Sequence, residues 1–169
     1  EIMHEAFHVC TSGRPGPVLV DIPKDVQFAT GEYQSPKPST SHYQPQVKGE
    51  MDEIKELVAA IESAKRPVFY TGGGVINSGP AASQLLRELV EATGFPITST
   101  LMGLGAYAAS GKHWLGMLGM HGTYEANMTM HDCDLMINIG ARFDDRITGR
   151  IDAFSPKSKK AHIDIDPSS

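Results

Sequence analysis

The sequence predicts an open α/β fold: a parallel sheet with helices on both faces, joined by right-handed crossovers. Three observations carry this reading. From residue 50 to the end, short apolar runs alternate with segments of helical period. The runs Val68–Phe69–Tyr70 and Leu135–Met136–Ile137 are continuous, as strands buried on both faces read. Each run ends in glycines or turn formers, where a chain leaves a sheet to enter a crossover.

The elements follow in order. Residues 1–12 read as the end of a helix, stopped by Ser12, Gly13, Arg14, Pro15, Gly16 and Pro17. Val18, Leu19, Val20 and Ile22 form a strand-like run that Pro23 ends. From about Val26 to Gly49 the composition turns to Ser, Thr, Pro, Gln and Tyr. Pro36, Pro38 and Pro45 each lack an N–H and bias the preceding residue away from helix, so 28–48 reads as an extended linker. Met51, Ile54, Leu57, Val58 and Ile61 fall at helical spacing with one face toward a core. Pro67–Tyr70 is a buried strand ending in Gly72, Gly73 and Gly74. Ser78–Gly79–Pro80 opens a second helix, with Ala82, Leu85, Leu86, Leu89 and Val90 on one face. Pro96–Ser99 is a strand leading into Thr100, Leu101 and Met102. The Gly-rich stretch 103–122 holds a short strand near Leu115–Leu118, and a helix runs from about Thr123 to His131. Leu135–Ile139 and Ala161–Ile165 are the last two strands.

Composition excludes several classes of function. Fifteen Lys and Arg against 20 Asp and Glu give a net charge of −5, the wrong sign for a protein whose affinity comes from displacing phosphate counterions on nucleic acid. No apolar run approaches the roughly 18 residues of a membrane span. Two cysteines, Cys10 and Cys133, make no disulfide framework and lack metal-ligand spacing; both read as small buried side chains in a reducing compartment. The chain starts at Glu1, inside an amphipathic pattern, which reads as a piece of a larger protein with any targeting segment out of view.

Ligands of open α/β sheets bind beyond the carboxyl ends of the strands. Here those ends carry Gly72–Gly74, Thr100–Met102, Leu118–His121, Gly140–Arg142 and Asp164–Asp166. The loop Gly72–Gly79 sits between strand and helix, the context of a dinucleotide site. Yet Asn77 replaces the third glycine of G-x-G-x-x-G, and no P-loop lysine follows Gly79. Nucleotide contact and a tight turn both remain open for it. Arg142 and Arg146 with Asp144 and Asp145 form either a solvated ion-pair network or a grip on pyrophosphate. Asp164 and Asp166 suit ribose hydroxyls or strand-end turns; His121 is a ligand contact or a satisfied loop histidine. Met102, Met117 and Met120 fill core gaps or face a flat ring. His4, Glu5 and His8 match the zincin pattern H-E-x-x-H, but no third ligand or enclosing scaffold accompanies them, so a solvated helix face is favoured and no metal site is assigned.

The strings SGRPGPVLVDIPKDVQ, RPVFYTGGGVINSG, TSTLMGLGAY, LGMHGTYEAN and INIGARFDDRITGRI, followed by HIDIDP, resemble the catalytic large subunits of acetohydroxyacid (acetolactate) synthases over nearly the whole chain. The resemblance implies three segments: 1–27, the tail of a pyrimidine-binding domain; 28–48, a linker; and 49–169, a central domain of the Rossmann-like, DHS-like NAD/FAD-binding type. It further implies FAD contacts at Arg14, Gly72, Gly73, Gly74, Thr100, Leu101, Met102, Leu118, Gly119, Met120, His121, Gly140, Ala141, Arg142, Asp144, Arg146, Ile147, Asp164 and Ile165. Lys24, Asp145 and Arg146 match positions that line the family's inhibitor-binding access channel. In the family, pyruvate and a second 2-keto acid are condensed on thiamine diphosphate with magnesium, in branched-chain amino-acid biosynthesis, with FAD structural. Partners implied are the rest of the large subunit, further copies of it and a regulatory subunit, in the cytoplasm of bacteria or in an organelle. The family's activating glutamate and its G-D-G diphosphate motif are absent from these 169 residues, so the expectation is a piece that binds FAD and is inactive alone. A free-standing module binding FAD, NAD or ADP without chemistry is the alternative.

Overall fold

The computed structural model describes residues 1–35 and 42–168; Pro36 and Pro38 of the expected linker lie outside the described residues. The chain divides into two compact units, Glu1–Lys48 and Gly49–Ser169.

The first unit contains α1 (Ile2–Thr11) and α2 (Lys24–Phe28). Backbone amides end α1 as the breaker cluster predicts: Ser12 N–H donates to Val9 O (3.3 Å), and Gly13 takes a φ of +60°. No strand forms at Val18–Ile22, where Leu19 is 88% exposed. A β-branched apolar run becomes a strand only where a neighbour pairs with it. Val26 and Phe28, expected in irregular chain, instead close the turn of α2. Cys10 is half-buried rather than buried.

The second unit is the open parallel α/β sheet that the sequence predicts. Its elements are α3 (Met51–Ser63), β1 (Pro67–Thr71), α4 (Gly73–Asn77), α5 (Pro80–Thr93), β2 (Ile97–Ser99), β3 (Trp114–Met117), α6 (Tyr124–Asp132), β4 (Leu135–Ile139), α7 (Asp145–Thr148) and β5 (Lys159–Ile163). Among the described residues five strands pair in the order β3-β2-β1-β4-β5, all parallel. The order reverses beside β1: the chain first moves outward through β2 and β3, then returns to the other side of β1 as β4. β1 is buried along its whole length, as a central strand covered on both faces must be.

Alternation along the strands sorts side chains to two cores. Phe69, Ile97, Leu135 and Ile137 meet Val75 together with Leu86 and Val90 of α5, with Leu57, Ala60 and Ile61 of α3 packed behind. On the opposite face, Val68, Tyr70 and Met136 meet Leu118, Ala141, and Met130 and Cys133 at the end of α6. α5 shows why these residues form a helix: Pro80 occupies its first turn and Gly94 closes it at φ +70°. The apolar stripe of α3 is narrower than its spacing predicts, because Met51, Ile54 and Val58 stay exposed while Leu57 and Ile61 pack. Likewise Leu85 of α5 is 65% exposed. β5 begins two residues earlier than the apolar pattern predicts. Lys159 and Lys160 pair with Leu135 and Met136, and an edge strand tolerates such charged residues.

Candidate functional site

The reversal of strand order puts the loops after β1 and β4 side by side, the place where an open α/β sheet makes its ligand crevice. The floor of this crevice is backbone against backbone. Gly72 N–H donates to Ile139 O (3.1 Å) and Gly74 N–H to Gly140 O (2.9 Å). A Cβ on Gly74 would stand 2.7 Å from Gly140 Cα, and one on Gly103 would stand 2.7 Å from Thr71 O. Gly140 itself has a φ of +61°, a left-handed backbone that glycine adopts without penalty. Gly72 and Gly74 are therefore required first by the adjoining loop. The three glycines also do not form a plain turn, since Gly73–Asn77 coil into α4, held by Ser78 Oγ donating to Gly74 O (2.8 Å).

After β2, Thr100 N–H donates to Thr71 O (2.9 Å) and its hydroxyl accepts from Gly103 N–H (3.1 Å), starting a 3₁₀ turn over Leu101–Gly103. That turn leaves Leu101 66% and Met102 74% exposed at the sheet's carboxyl edge, with Met102 against Gly73. After β3, Leu118 turns into the core while Met120 is 61% exposed and His121 is exposed. Gly119 carries a φ of +105° and packs on Arg146 O and Ile147; Met120 N–H donates to Arg146 O (2.9 Å). The loops after β3 and β4 thus touch over the face carrying Tyr70.

After β4, Ala141 is buried and Arg142 projects outward, its guanidinium 2.7 Å from Asp144 Oδ2. Asp144 caps α7 by accepting from Arg146 N–H (3.1 Å). That N–H, with the Arg142 guanidinium, holds the Asp144 carboxyl below its ordinary range. Beneath it Tyr70 donates to Arg142 O (3.3 Å); burial, then the charge of Asp144, pushes its phenol well above the usual range. After β5, Asp164 Oδ1 accepts from Asp166 N–H (2.9 Å), and Asp166 Oδ1 accepts from Ser168 N–H (3.0 Å). Both aspartates are thus strand-end turn formers, with Asp164 Oδ2 3.6 Å from His162 Nε2. Ile165 is 38% exposed.

The structure therefore brings Leu101, Met102, Met120, His121, Arg142, Asp164 and Ile165, from the four loops after β2, β3, β4 and β5, to one edge of the sheet. Leu118, Ala141 and Ile147 pack their side chains into the core, so only their backbone is offered to a ligand. Asp145 and Arg146 begin the exposed helix α7. Arg14 and Lys24 belong to the first unit, where Lys24 Nζ lies 5.8 Å from the centre of the Phe28 ring. Also in that unit, His8 has Tyr43 O 3.1 Å from Nε2 and Ser12 Oγ 3.4 Å from Nδ1. Among the described residues no group of three His, Cys, Asp or Glu is arranged to hold a metal ion. Nor, among the described residues, is any helix long and apolar enough to cross a membrane.

Sequence reasoning passes over Asn127 and Asn138. Asn127 Oδ1 accepts from Gly119 N–H (3.0 Å), and its Nδ2 donates to Gly119 O (3.1 Å) and Thr123 O (3.0 Å). Asn138, fully buried, accepts from Ala141 N–H (3.2 Å) and donates to Ala141 O (2.6 Å). The signal was an amide inside the apolar run of β4, which a buried strand carries only where both its polar ends find partners.

The strand order and the glycine-floored crevice at its reversal define an open, Rossmann-like α/β domain. The chain belongs to the family described as thiamine pyrophosphate enzyme, central domain, whose model matches residues 54–169. Among individual proteins, it is 46% identical to the acetolactate synthase isozyme 3 large subunit of Escherichia coli over 172 residues, covering 100% of the chain and 30% of that protein. The isozyme 2 large subunit of Escherichia coli is 48% identical over 167 residues, 98% of the chain and 29% of that protein. The acetolactate synthase large subunit of Haemophilus influenzae is 45% identical over 170 residues, 99% and 29% respectively. The chain thus spans about three-tenths of the length of these relatives.

Proposed function

We propose that the chain is the central domain of an acetolactate synthase large subunit and that its carboxyl edge holds FAD. The observation that supports this most directly is the juxtaposition at that edge of exposed apolar side chains, Leu101, Met102 and Met120, with the exposed Arg142 guanidinium. Leucine and polarizable methionine suit a flat aromatic ring, and a guanidinium suits a pyrophosphate, so the residues present fit a flavin dinucleotide. Arg142 would hold phosphate, exchanging or sharing its partner Asp144; Leu101, Met102 and Met120 would cover the ring system and exclude water from it. Asp164, whose Oδ1 is taken by its turn, would offer Oδ2 to a ribose hydroxyl beside His162. Bound FAD supplies structure rather than net redox, since joining two keto acids with loss of carbon dioxide transfers no electrons overall.

Thiamine diphosphate and magnesium do not fit residues of this chain. It contains no Gly-Asp-Gly motif and, among the described residues, no acidic cluster arranged for a metal. In the complete subunit, condensation of pyruvate with a second 2-keto acid on thiamine diphosphate would be completed by the other domains. Further copies and a regulatory subunit are the partners this reading expects, and the bacterial cytoplasm its setting. Lys24, Asp145 and Arg146 are proposed for the access channel.

Titrating the purified chain with FAD by flavin fluorescence, with NAD and ADP in parallel, tests the reading. Saturable binding that prefers FAD is expected, with Arg142→Ala weakening it about tenfold or more and His4→Ala leaving it unchanged. Equal binding of all three nucleotides would favour a general nucleotide module, and equal effects of the two substitutions would remove Arg142 from the site.

A further inference from the structure

We infer that Asn127 and Asn138 are positioning residues for the cofactor edge: each side-chain amide grips both backbone polar groups of one loop residue, Gly119 after β3 and Ala141 after β4. The inference rests on the proposal that this edge holds FAD.

The two clamps share a geometry and a purpose. Each closes on a residue whose neighbour points to the ligand edge, Met120 beside Gly119 and Arg142 beside Ala141. Backbone pairing with the neighbouring strands stops one residue short of each clamp: Leu118 N–H donates to Ser99 O (3.0 Å) and Gly140 N–H to Ile163 O (2.8 Å), and the amides take over at Gly119 and Ala141. At Gly119 the backbone is also left-handed, φ +105°, a conformation that glycine adopts but does not enforce. An amide side chain holds such a segment because it offers one acceptor and two donors in a plane, matching an adjacent N–H and C=O at once. Aspartate keeps the acceptor and loses the donors; leucine loses both. Around Ala141 the grip is doubled, since His162 Nε2 lies 3.1 Å from the same carbonyl oxygen that Asn138 donates to. The clamps are coupled, because Met120 N–H donates to Arg146 O (2.9 Å), tying one loop to the other. Through Met120 and Arg142 the amides set where apolar cover and guanidinium stand relative to each other. A dinucleotide that needs both at once binds only if that spacing is held.

The test compares Asn127→Ala and Asn127→Asp with Val90→Ala, which opens a cavity among the residues packed beneath α5 on the opposite face. Flavin affinity, thermal midpoint and hydrogen exchange of the Gly119 amide are measured for each in the purified chain. Asn127 is only half-buried, so its variants are the ones expected to fold; Asn138 is fully buried and its variants are not used. Both Asn127 variants are expected to weaken FAD binding about tenfold. Asn127→Ala should also expose the Gly119 amide to exchange without ligand, while Asn127→Asp, which keeps the acceptor, should leave it protected. Val90→Ala should lower the thermal midpoint and leave affinity within about twofold. If the Asn127 variants bind FAD as tightly as wild type, or lose no more affinity than Val90→Ala at an equal drop in midpoint, the inference falls and the functional reading stands. If wild type binds no flavin, the functional reading falls as well.

Discussion

The loop after β1 and the loops after β3 and β4 reach the same edge of one sheet by opposite means. The first is held by the absence of side chains: Gly72 and Gly74 let its backbone lie against Gly140 and Ala141 and donate hydrogen bonds to Ile139 O and Gly140 O. The other two each add a side-chain grip, Asn127 from the following helix α6 and Asn138 from the strand β4 that its loop continues. A glycine contact fails sterically, all at once, when any Cβ is added. An amide clamp fails polar group by polar group, and its failure is felt by whatever the loop presents before it is felt by the sheet.

The steric side of this comparison breaks with Gly74→Ala. The added Cβ meets backbone, 2.7 Å from Gly140 Cα and 2.9 Å from Gly140 O, and backbone on a central strand pair has no rotamer with which to yield. A loss of about 3 kcal/mol in urea denaturation is expected. Gly49→Ala is the control: its Cβ would make ordinary contact with Ile54 at 3.7 Å, and the change should stay within about 0.5 kcal/mol. Equal losses at the two positions would mean that the crevice floor is not close-packed.

The polar side sharpens with Tyr70→Phe. The ring stays between Val68, Met136 and Leu118, and only the bond to Arg142 O at 3.3 Å is removed. About 1 kcal/mol of stability should go. In wild type the Tyr70 phenol, raised by burial and then by Asp144, stays protonated above the ordinary tyrosine range. The unfolded chain ionises first, so this contribution is present below pH about 10 and is lost as pH rises from there toward the folded value. Alkaline titration of tyrosine absorbance should therefore lose a late step in the variant. If it does not, another tyrosine carries that step.

What could be read in the sequence divides along the same line. β1, β4 and α5 were legible because their signals are local: continuous apolar runs, and Pro80 and Gly94 at the two ends of a helix. The run at Val18–Ile22 carried the same local signal and formed no strand, since pairing is not written in the strand itself. α4 was hidden because three successive glycines read as a turn, although Val75 anchors them in the core. At the site, the glycines announced a close approach, but not what they approach. Gly74 meets Gly140, far along the chain, and only the strand order brings them together. Resemblance named Asp164 and Arg142 as contacts, and the strand-end turn and ion pair that the residues alone also allowed are both present. The clamps were least legible, for an asparagine names its partners only in three dimensions.

The smallest expected effect concerns the cap that joins the two kinds of loop. Asp144 holds Arg142 on one side and the N–H of Arg146 in α7 on the other, and α7 in turn presents Arg146 O to Met120. Its carboxyl is lowered first by the N–H of Arg146 and also by Arg142, so the folded state binds a proton less readily than the unfolded chain. The stability that Asp144 adds is then fully present above the unfolded carboxylate value, about pH 4, and is lost as pH falls through the lower folded value. Hydrogen exchange at the Arg146 amide, corrected for its intrinsic pH dependence, should show protection falling in that acid window. Asp144→Asn keeps an acceptor for the cap without a charge and should remove the pH dependence while leaving most of the protection. A variant that kept the acid transition would assign it to another carboxylate and would separate the α7 cap from the grip on Arg142.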